Sequence, residues 1–386
     1  MIEGLKTRLI NSIDINRNLP DEELESIISR MVAEEYSGRH LPVRERIKVA
    51  RSLFNSIRGL DILQEILEDD EITEIMINGK DDIFTEKEGC LSRYEGRFTS
   101  VQKLSDVIQT IVGRANKRVN EASPIVDTRL PDGSRINVVL KPVSVNGPTV
   151  TIRKFPATPI TMQTLIRLGS ITEEASAFLN ELVISGYNIF ISGGTGSGKT
   201  TFLNALTDFI PADERIVTIE DSAELRINNI ENLVSLECRQ ANTEGDNEIT
   251  IRDLIRTSLR MRPSRIIVGE VRGAEAFDML QAMNTGHDGS LSTGHANSPA
   301  DMLTRLEMMV LMGADMPLFA IKSQIASAVD ILVHLGRIRD GSRKVLEITE
   351  VAGLEENAFI LNPLFIFEQG ALRRTASQLT CSKGFY

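Results

Sequence analysis

The stretch Gly193-Gly194-Thr195-Gly196-Ser197-Gly198-Lys199-Thr200 constrains this chain more than any other part of it. It matches the spacing GxxxxGK[ST] in full, after the apolar run NIFIS at 188–192 and before a helical stripe of Phe202, Leu203 and Leu206. A strand that turns through glycines into a helix is suited to a polyanion. The glycines let the backbone approach, convergent N–H groups donate, and the helix N-terminus adds a favourable field. The spacing assigns Lys199 to the β- and γ-phosphates of a nucleotide and the Thr200 hydroxyl to Mg²⁺. The guanine-reading pattern NKxD is missing downstream, and the one Asn-Lys pair, Asn116-Lys117, lies before the loop and continues into Arg118-Val119. ATP is the expected nucleotide.

Around this loop, short β-branched runs alternate with helical stretches: RIVTIE at 215–220, LVSLEC at 233–238, RIIVGE at 265–270 and SLST at 290–293. That alternation predicts an α/β domain with a mostly parallel sheet covered on both faces. Ligands of such sheets bind beyond the carboxyl ends of the strands. Two acids fall there: Glu220, with Asp221 and Glu224 close by, and Glu270. A lone strand-end acid is more often a helix cap, whereas two beside a phosphate loop point to hydrolysis. A third cluster, Thr285 to Asn297, brackets a short strand with His287 and His295. Zinc is rejected because no cysteine or third histidine is near, which leaves a tetrahedral site incomplete. An imidazole beside a γ-phosphate, neutral or charged, is suited instead to sensing it.

The remaining sequence divides by its periods. Residues 1–60 read as a helical bundle, with stripes Ile2, Leu5, Leu9, Ile13, then Leu24, Ile27, Ile28, Met31, then Val43, Ile47, Ala50, Phe54. The third stripe carries Arg44, Arg46, Lys48, Arg51 and Arg58, either a solvated face or a contact for an acidic partner. Residues 61–155 read as an α+β domain: the helix stripe of Val101, Leu104, Val107, Ile108 and Ile111 lies among strands punctuated by Asn78-Gly79, Asp132-Gly133 and Asn146-Gly147. Pro156 and Pro159 make 156–160 a linker, and 161–386 is the nucleotide domain. The end, ASQLTCSKGFY, reads as a frayed tail.

Composition narrows the classes. A net charge of -11 disfavours broad binding to nucleic acid. The start MIEGLKTRLINSIDINR lacks the apolar core of a signal peptide, and no run reaches the roughly 18 apolar residues of a membrane span, so a cytoplasmic chain is expected. Cys90, Cys238 and Cys381 are too scattered for a disulfide framework or a metal knuckle.

Four ordered motifs carry a resemblance: GGTGSGKTT, TIEDSAEL, LRMRPSRIIVGEVRG and TGHDGSLSTGHANS. The chain resembles the type II/type IV secretion ATPase superfamily. Through DTRLPDGSRIN, TVTIRKF and the extra N-terminal helices it is most similar to CpaF-like motors of tight-adherence pilus assembly. The resemblance implies a RecA-like ATPase domain, a ring-shaped homohexamer, and ATP bound in a cleft between domains. It implies Glu220 as general base and Glu270 supporting Mg²⁺ through water. His287 or His295 would sense the γ-phosphate, and Arg129, Arg135 and Arg153 would contact phosphate; the spacing alone shows those arginines only as cations near hairpin turns. The loop through Thr201 would complete the nucleotide contacts. The tetracysteine zinc element of the general secretion branch is missing, and Ser264 stands where relatives commonly carry an acid.

The expected function is an ATP- and Mg²⁺-dependent motor acting on an inner-membrane platform protein of a pilus or secretion machine, at the inner face of the membrane, with neither zinc nor nucleic acid as partner. Two other readings stand beside it: a nucleotide-gated assembly factor with incidental hydrolysis, and a RecA-like translocase on nucleic acid. Without tryptophan and with only four tyrosines, the chain lacks the aromatic residues of a stacking channel.

Overall fold

The computed structural model describes residues 4–5, 8–9, 19–37, 42–87, 89–155, 159–239, 247–381 and 383. Ile2 and Ile13 of the expected first helix, His40, and positions 156–158 of the expected linker lie outside the described residues. The chain forms two compact units, Met1–Ala157 and Thr158–Tyr386. The expected helical bundle and α+β region therefore fall in one unit, although each keeps its own apolar core.

In the first unit, helix α1 (Asp21–Glu35) starts after Pro20 with Asp21, Glu22 and Glu23 in its first turn, where the helix dipole favours negative charge. It buries Leu24, Ile28 and Val32 together with Leu5, Leu9 and Leu53. Helix α2 (Val43–Ile57) forms as its period predicts, and Ala50 and Phe54 of the expected stripe pack against the core, but Val43 and Ile47 do not. Val43 and Ile47 are 72% and 60% exposed, while Leu53 is fully buried. At 3.6 residues per turn Ile47 lies about 120° around the helix from Leu53, outside the packed arc. Two of the basic residues are engaged within the unit: Arg51 pairs with Glu68 at 2.6 Å, and Arg58 donates to the Leu19 carbonyl at 2.6 Å.

A short helix α3 (Ile62–Leu67) leads into an antiparallel sheet of six strands: β1 (Ile72–Asn78), β2 (Asp82–Lys87), β3 (Cys90–Arg93), β4 (Ile125–Arg129), β5 (Arg135–Val139) and β6 (Thr149–Arg153). Their spatial order is β3-β2-β1-β6-β5-β4. Alternation puts Ile75, Ile77, Ile136, Val138, Val150 and Ile152 on the covered face. Helix α4 (Val101–Arg114), capped by Ser100, packs Leu104, Val107, Ile108 and Ile111 into the same core. Each fully buried Ile or Leu there is worth about 1.5–3 kcal/mol relative to exposure. Gly79 and Gly133 close the β1–β2 and β4–β5 hairpins at φ +79° and +90°, conformations that suit Asn-Gly and Asp-Gly turns.

The second unit is built on a nine-stranded sheet. In chain order its strands are β7 (Ile189–Gly193), β8 (Arg215–Glu220), β9 (Asn232–Glu237), β10 (Arg265–Val268), β11 (Leu291–His295), β12 (Ile331–Arg337), β13 (Arg343–Glu355), β14 (Ala358–Glu368) and β15 (Ala371–Arg374). Six are parallel, in the order β12-β7-β11-β10-β8-β9. Helices α5 (Met162–Arg167), α6 (Glu173–Ile184), α7 (Lys199–Thr207), α8 (Ile251–Ser258), α9 (Glu275–Asn284), α10 (Pro299–Gly313) and α11 (Leu318–Ala328) accompany them. Ile189 and Ile191 of β7 enter one core and Phe190 the other, so both faces are covered. This is the expected α/β architecture. Among the described residues no helix is long and apolar enough to cross a membrane.

Strand β12 and the antiparallel extension β13-β14-β15 on its edge were not expected from the sequence. The pattern of the extension is broken by register shifts and by Glu350, buried in β13. Thr380, Cys381 and Lys383 depart from the expected frayed tail, whose positions 382 and 384–386 lie outside the described residues. Glu350 accepts from Thr380 N and Oγ1, both at 2.9 Å, and from Cys381 N at 2.7 Å. Lys383 reaches Asp330 at 2.7 Å and Asp288 at 2.9 Å. Thr380 and Cys381 are held because a buried carboxylate needs donors and they supply them.

Candidate active site

The parallel order sets β7, β11, β10 and β8 side by side, so the motifs that end these strands emerge along one edge of the sheet. Gly193 ends β7 against β12. A Cβ there would collide with the Leu335 carbonyl oxygen and Ser197 Oγ, so only glycine allows this packing. The loop then turns into α7, whose cap residue Gly198 offers no side chain to the first N–H groups. Those donors stay available to an anion. Ser197 Oγ donates to the Gly194 carbonyl at 2.9 Å, which stiffens the turn. Thr200 and Thr201 lie in the first turn of α7, both partly exposed, whereas Gly194, Thr195 and Gly196 are exposed.

Lys199 is 8% exposed. Its ammonium donates to the carbonyls of Gly193 at 3.2 Å and Gly194 at 3.0 Å and sits 3.3 Å from His295 Nδ1. Burial pushes its pKa down, Glu270 opposes this, and Arg272 adds to it. His295 ends β11. Its pKa is lowered first by burial and then by the charge of Lys199, with Glu270 pulling the other way. The ring is therefore neutral at pH 7, and the ammonium beside Nδ1 leaves the proton on Nε2.

Glu270 lies two residues past β10, and its Oε1 is 2.7 Å from His295 Nε2. The two atoms are close but out of line, so this buried carboxylate oxygen has no aligned hydrogen-bond donor. Its Oε2 accepts from Arg272 Nε at 2.9 Å and Nη2 at 2.5 Å. Arg272 Nη1 stands 3.9 Å from Asp221 at the tip of β8. Lys199, His295, Glu270, Arg272 and Asp221 thus form one polar chain across the ends of β7, β11, β10 and β8. Sequence reasoning did not single out Arg272, although it stands two residues after Glu270.

Glu220, the last residue of β8, is 3% exposed. Its Oε1 accepts from the backbone N–H groups of Glu224 at 2.8 Å and Leu225 at 3.1 Å. A Cβ on Gly269 would come 2.9 Å from Glu220 Cγ, so the bare glycine before Glu270 makes room for this side chain. The two glutamates are brought together at adjacent strand ends.

His287 is placed differently. It precedes β11, at the other end of the strand from His295, and its Nδ1 lies 3.2 Å from the Ala282 carbonyl. The structure does not bring it to the phosphate loop of its own unit. Arg129, Arg135 and Arg153 lie in the first unit and stand directly opposite one another across β4, β5 and β6. Arg153 also faces Glu74, at 4.0 Å.

The donor set fits nucleotide and Mg²⁺. Among the described residues no group of three or more His, Cys, Asp or Glu side chains could hold a metal ion by itself. Mg²⁺ keeps much of its water and is bound through one or two protein oxygens plus substrate phosphates. The Thr200 hydroxyl, and Glu270, whose Oε1 faces His295 without an aligned hydrogen bond, match that demand.

With this geometry in place, comparisons with known proteins place the chain in a family. Residues 57–363 match the family described as "Type II/IV secretion system protein". A conjugal transfer protein of Mycobacterium tuberculosis is 37% identical over 304 residues, which cover 77% of this chain and 86% of the relative. The type IV secretion system protein VirB11 of Brucella suis is 32% identical over 320 residues, 76% of this chain and 88% of its own. Among solved structures, the ATPase DotB of Legionella pneumophila superposes with a TM-score of 0.54 at 25% identity, covering 74% of this chain and 78% of DotB. The family match spans most of the length, and both relatives cover more than two thirds of the chain above 30% identity, so the chain belongs to the type II/IV secretion system protein family.

Proposed function

We propose that this chain is an ATPase that works as a homohexameric, Mg²⁺-dependent motor of a pilus or type IV secretion machine, acting on a platform protein at the inner face of the membrane. The motifs of the first unit favour the tight-adherence branch. The observation that carries the reading is the polar chain from Lys199 through His295 to Glu270, anchored beside a phosphate loop whose helix start is uncapped.

In this reading ATP lies with its triphosphate against Gly193–Thr201. Lys199 exchanges its carbonyl partners for phosphate oxygens, and the N–H groups of α7 donate to them. Glu220, positioned by the Glu224 and Leu225 amides, takes the proton of the attacking water. Neutral His295 couples the phosphate position to Glu270. Mg²⁺, when bound, neutralises charge on the phosphates, with Thr200 and Glu270 as the residues that would hold it. In this reading the row Arg129, Arg135, Arg153 of the first unit is an anion-contacting row. Differential affinity of nucleotide for two conformations converts hydrolysis into motion.

Steady-state ATP turnover of wild type and Lys199→Ala tests the reading. The variant is expected to lose at least about 100-fold. Turnover equal to wild type would remove this loop from the active site.

A further inference from the structure

The phosphate loop has a neighbour that none of the motifs contains. Strand β12 pairs in parallel with β7 up to Leu335 opposite Gly193, then runs two residues further to Arg337. The β12–β13 hairpin therefore stands beside the phosphate loop, and its first antiparallel partner to Arg337 is Arg343. Arg343 Nε donates to the Gly196 carbonyl at 2.9 Å, and its Cδ lies 3.4 Å from where a Cβ of Gly198 would sit. The side chain thus lies across the same turn that presents its N–H groups to an anion.

Two features set this arginine apart from a loop clasp. Among the described residues its Nη groups make no hydrogen bond, and neither Arg337 nor Arg343 has a carboxylate within ion-pair distance. The hairpin's own acid, Asp340, accepts from Ser342 instead. Two guanidiniums directly opposite each other repel, and such a pair is stabilised by a bound anion. The planar fork suits phosphate oxygens.

We propose that Arg343 is a nucleotide-binding residue: from the β12–β13 hairpin its guanidinium contacts the polyphosphate of a nucleoside di- or triphosphate held by the phosphate loop, with Arg337 adding charge on the same side. The proposal rests on the reading of that loop as the nucleotide site. It also gives the antiparallel extension a part in binding, because β13 carries Arg343.

The test is the equilibrium binding of fluorescent ADP to the full chain, and its displacement by inorganic pyrophosphate. Wild type, Arg343→Ala, Arg343→Lys and Lys199→Ala are compared, each with its melting temperature. Arg343→Ala is expected to raise the dissociation constants for ADP and pyrophosphate about tenfold or more, and Arg343→Lys to recover most of that. Because the contact is between charges, the difference should shrink as salt is raised. If Arg343→Ala binds ADP as wild type does while Lys199→Ala does not, the proposal falls and the loop reading stands. Equal weakening in Arg343→Ala and Arg343→Lys, with a lowered melting temperature and no salt dependence, would mean a structural clasp and also overturn it. Wild-type binding by Lys199→Ala as well would overturn the loop reading, and the proposal with it.

Discussion

Glu220 and Glu350 are both strand glutamates of one sheet, 3% and 1% exposed, yet the two halves of the sheet use them in opposite ways. In the parallel half, Glu220 ends its strand and is steadied by two backbone amides, next to the strand whose end carries Glu270. In the antiparallel half, Glu350 sits within β13 and is enclosed by donors from Asn362, Thr380 and Cys381. Burial of a carboxylate therefore does not identify catalysis. What separates the two is whether the donors hold the group at a strand end or close over it.

Breaking the comparison takes one substitution in each half. Glu220→Gln should cut turnover by at least about 100-fold with little change in melting temperature, since the amide keeps an acceptor for the two N–H groups. Glu350→Gln should do the reverse: it sets an NH₂ against donors, costs about 2–3 kcal/mol, and lowers the melting temperature by about 5–10 °C while turnover stays near wild type. The Glu350 effect also has a sign in pH. Burial pushes its carboxyl up, but the bonds from Asn362, Cys381 and Thr380 outweigh this and hold it below the ordinary 4.5. A depressed pKa stabilises above the unfolded value, so the gap between wild type and Glu350→Gln should hold at neutral pH and close only as pH falls below 4.5. Thermal melts across pH 3–7 read this directly.

A smaller effect sharpens the parallel side. His295 is held below its ordinary 6.5, so it gains a proton, and sets a cation beside Lys199, only at pH values below that. Turnover should fall with an acid limb centred below 6.5, and His295→Gln should lose the limb at a cost of about tenfold in rate. A limb centred above that value, or one that survives the substitution, would detach His295 from the chemistry. The smallest effect belongs to the antiparallel side. Lys383→Ala, which removes the pairs to Asp330 and Asp288 and leaves the largely buried Asp330 without its cation, should cost about 1–2 kcal/mol in stability and leave turnover unchanged.

How far the sequence could be read follows the same division. Five of the six parallel strands announce themselves, those buried on both faces through continuous apolar runs such as RIVTIE and RIIV, and the phosphate loop needs glycine at fixed places, whereas β12 was not expected. The candidate acids are legible for the same reason, being the first charges after apolar runs. Arg343 is not, since it meets Gly196 from 147 residues away and no local pattern records that approach. The meander is obscured by Glu347 and Glu350 within β13 and Pro363 within β14, polar or ring-locked residues whose partners lie elsewhere in the chain. The outward turn of Val43 and Ile47 shows a further limit, because a helical period fixes the helix but not which arc meets its neighbour.

The most direct test is to measure ATP affinity and ATP turnover on the same preparation of Glu220→Gln. The account predicts that the variant binds ATP within about threefold of wild type while turnover drops by at least about 100-fold, because the glutamate acts on the attacking water rather than on the phosphates. A glutamine variant that hydrolyses ATP at the wild-type rate would contradict it.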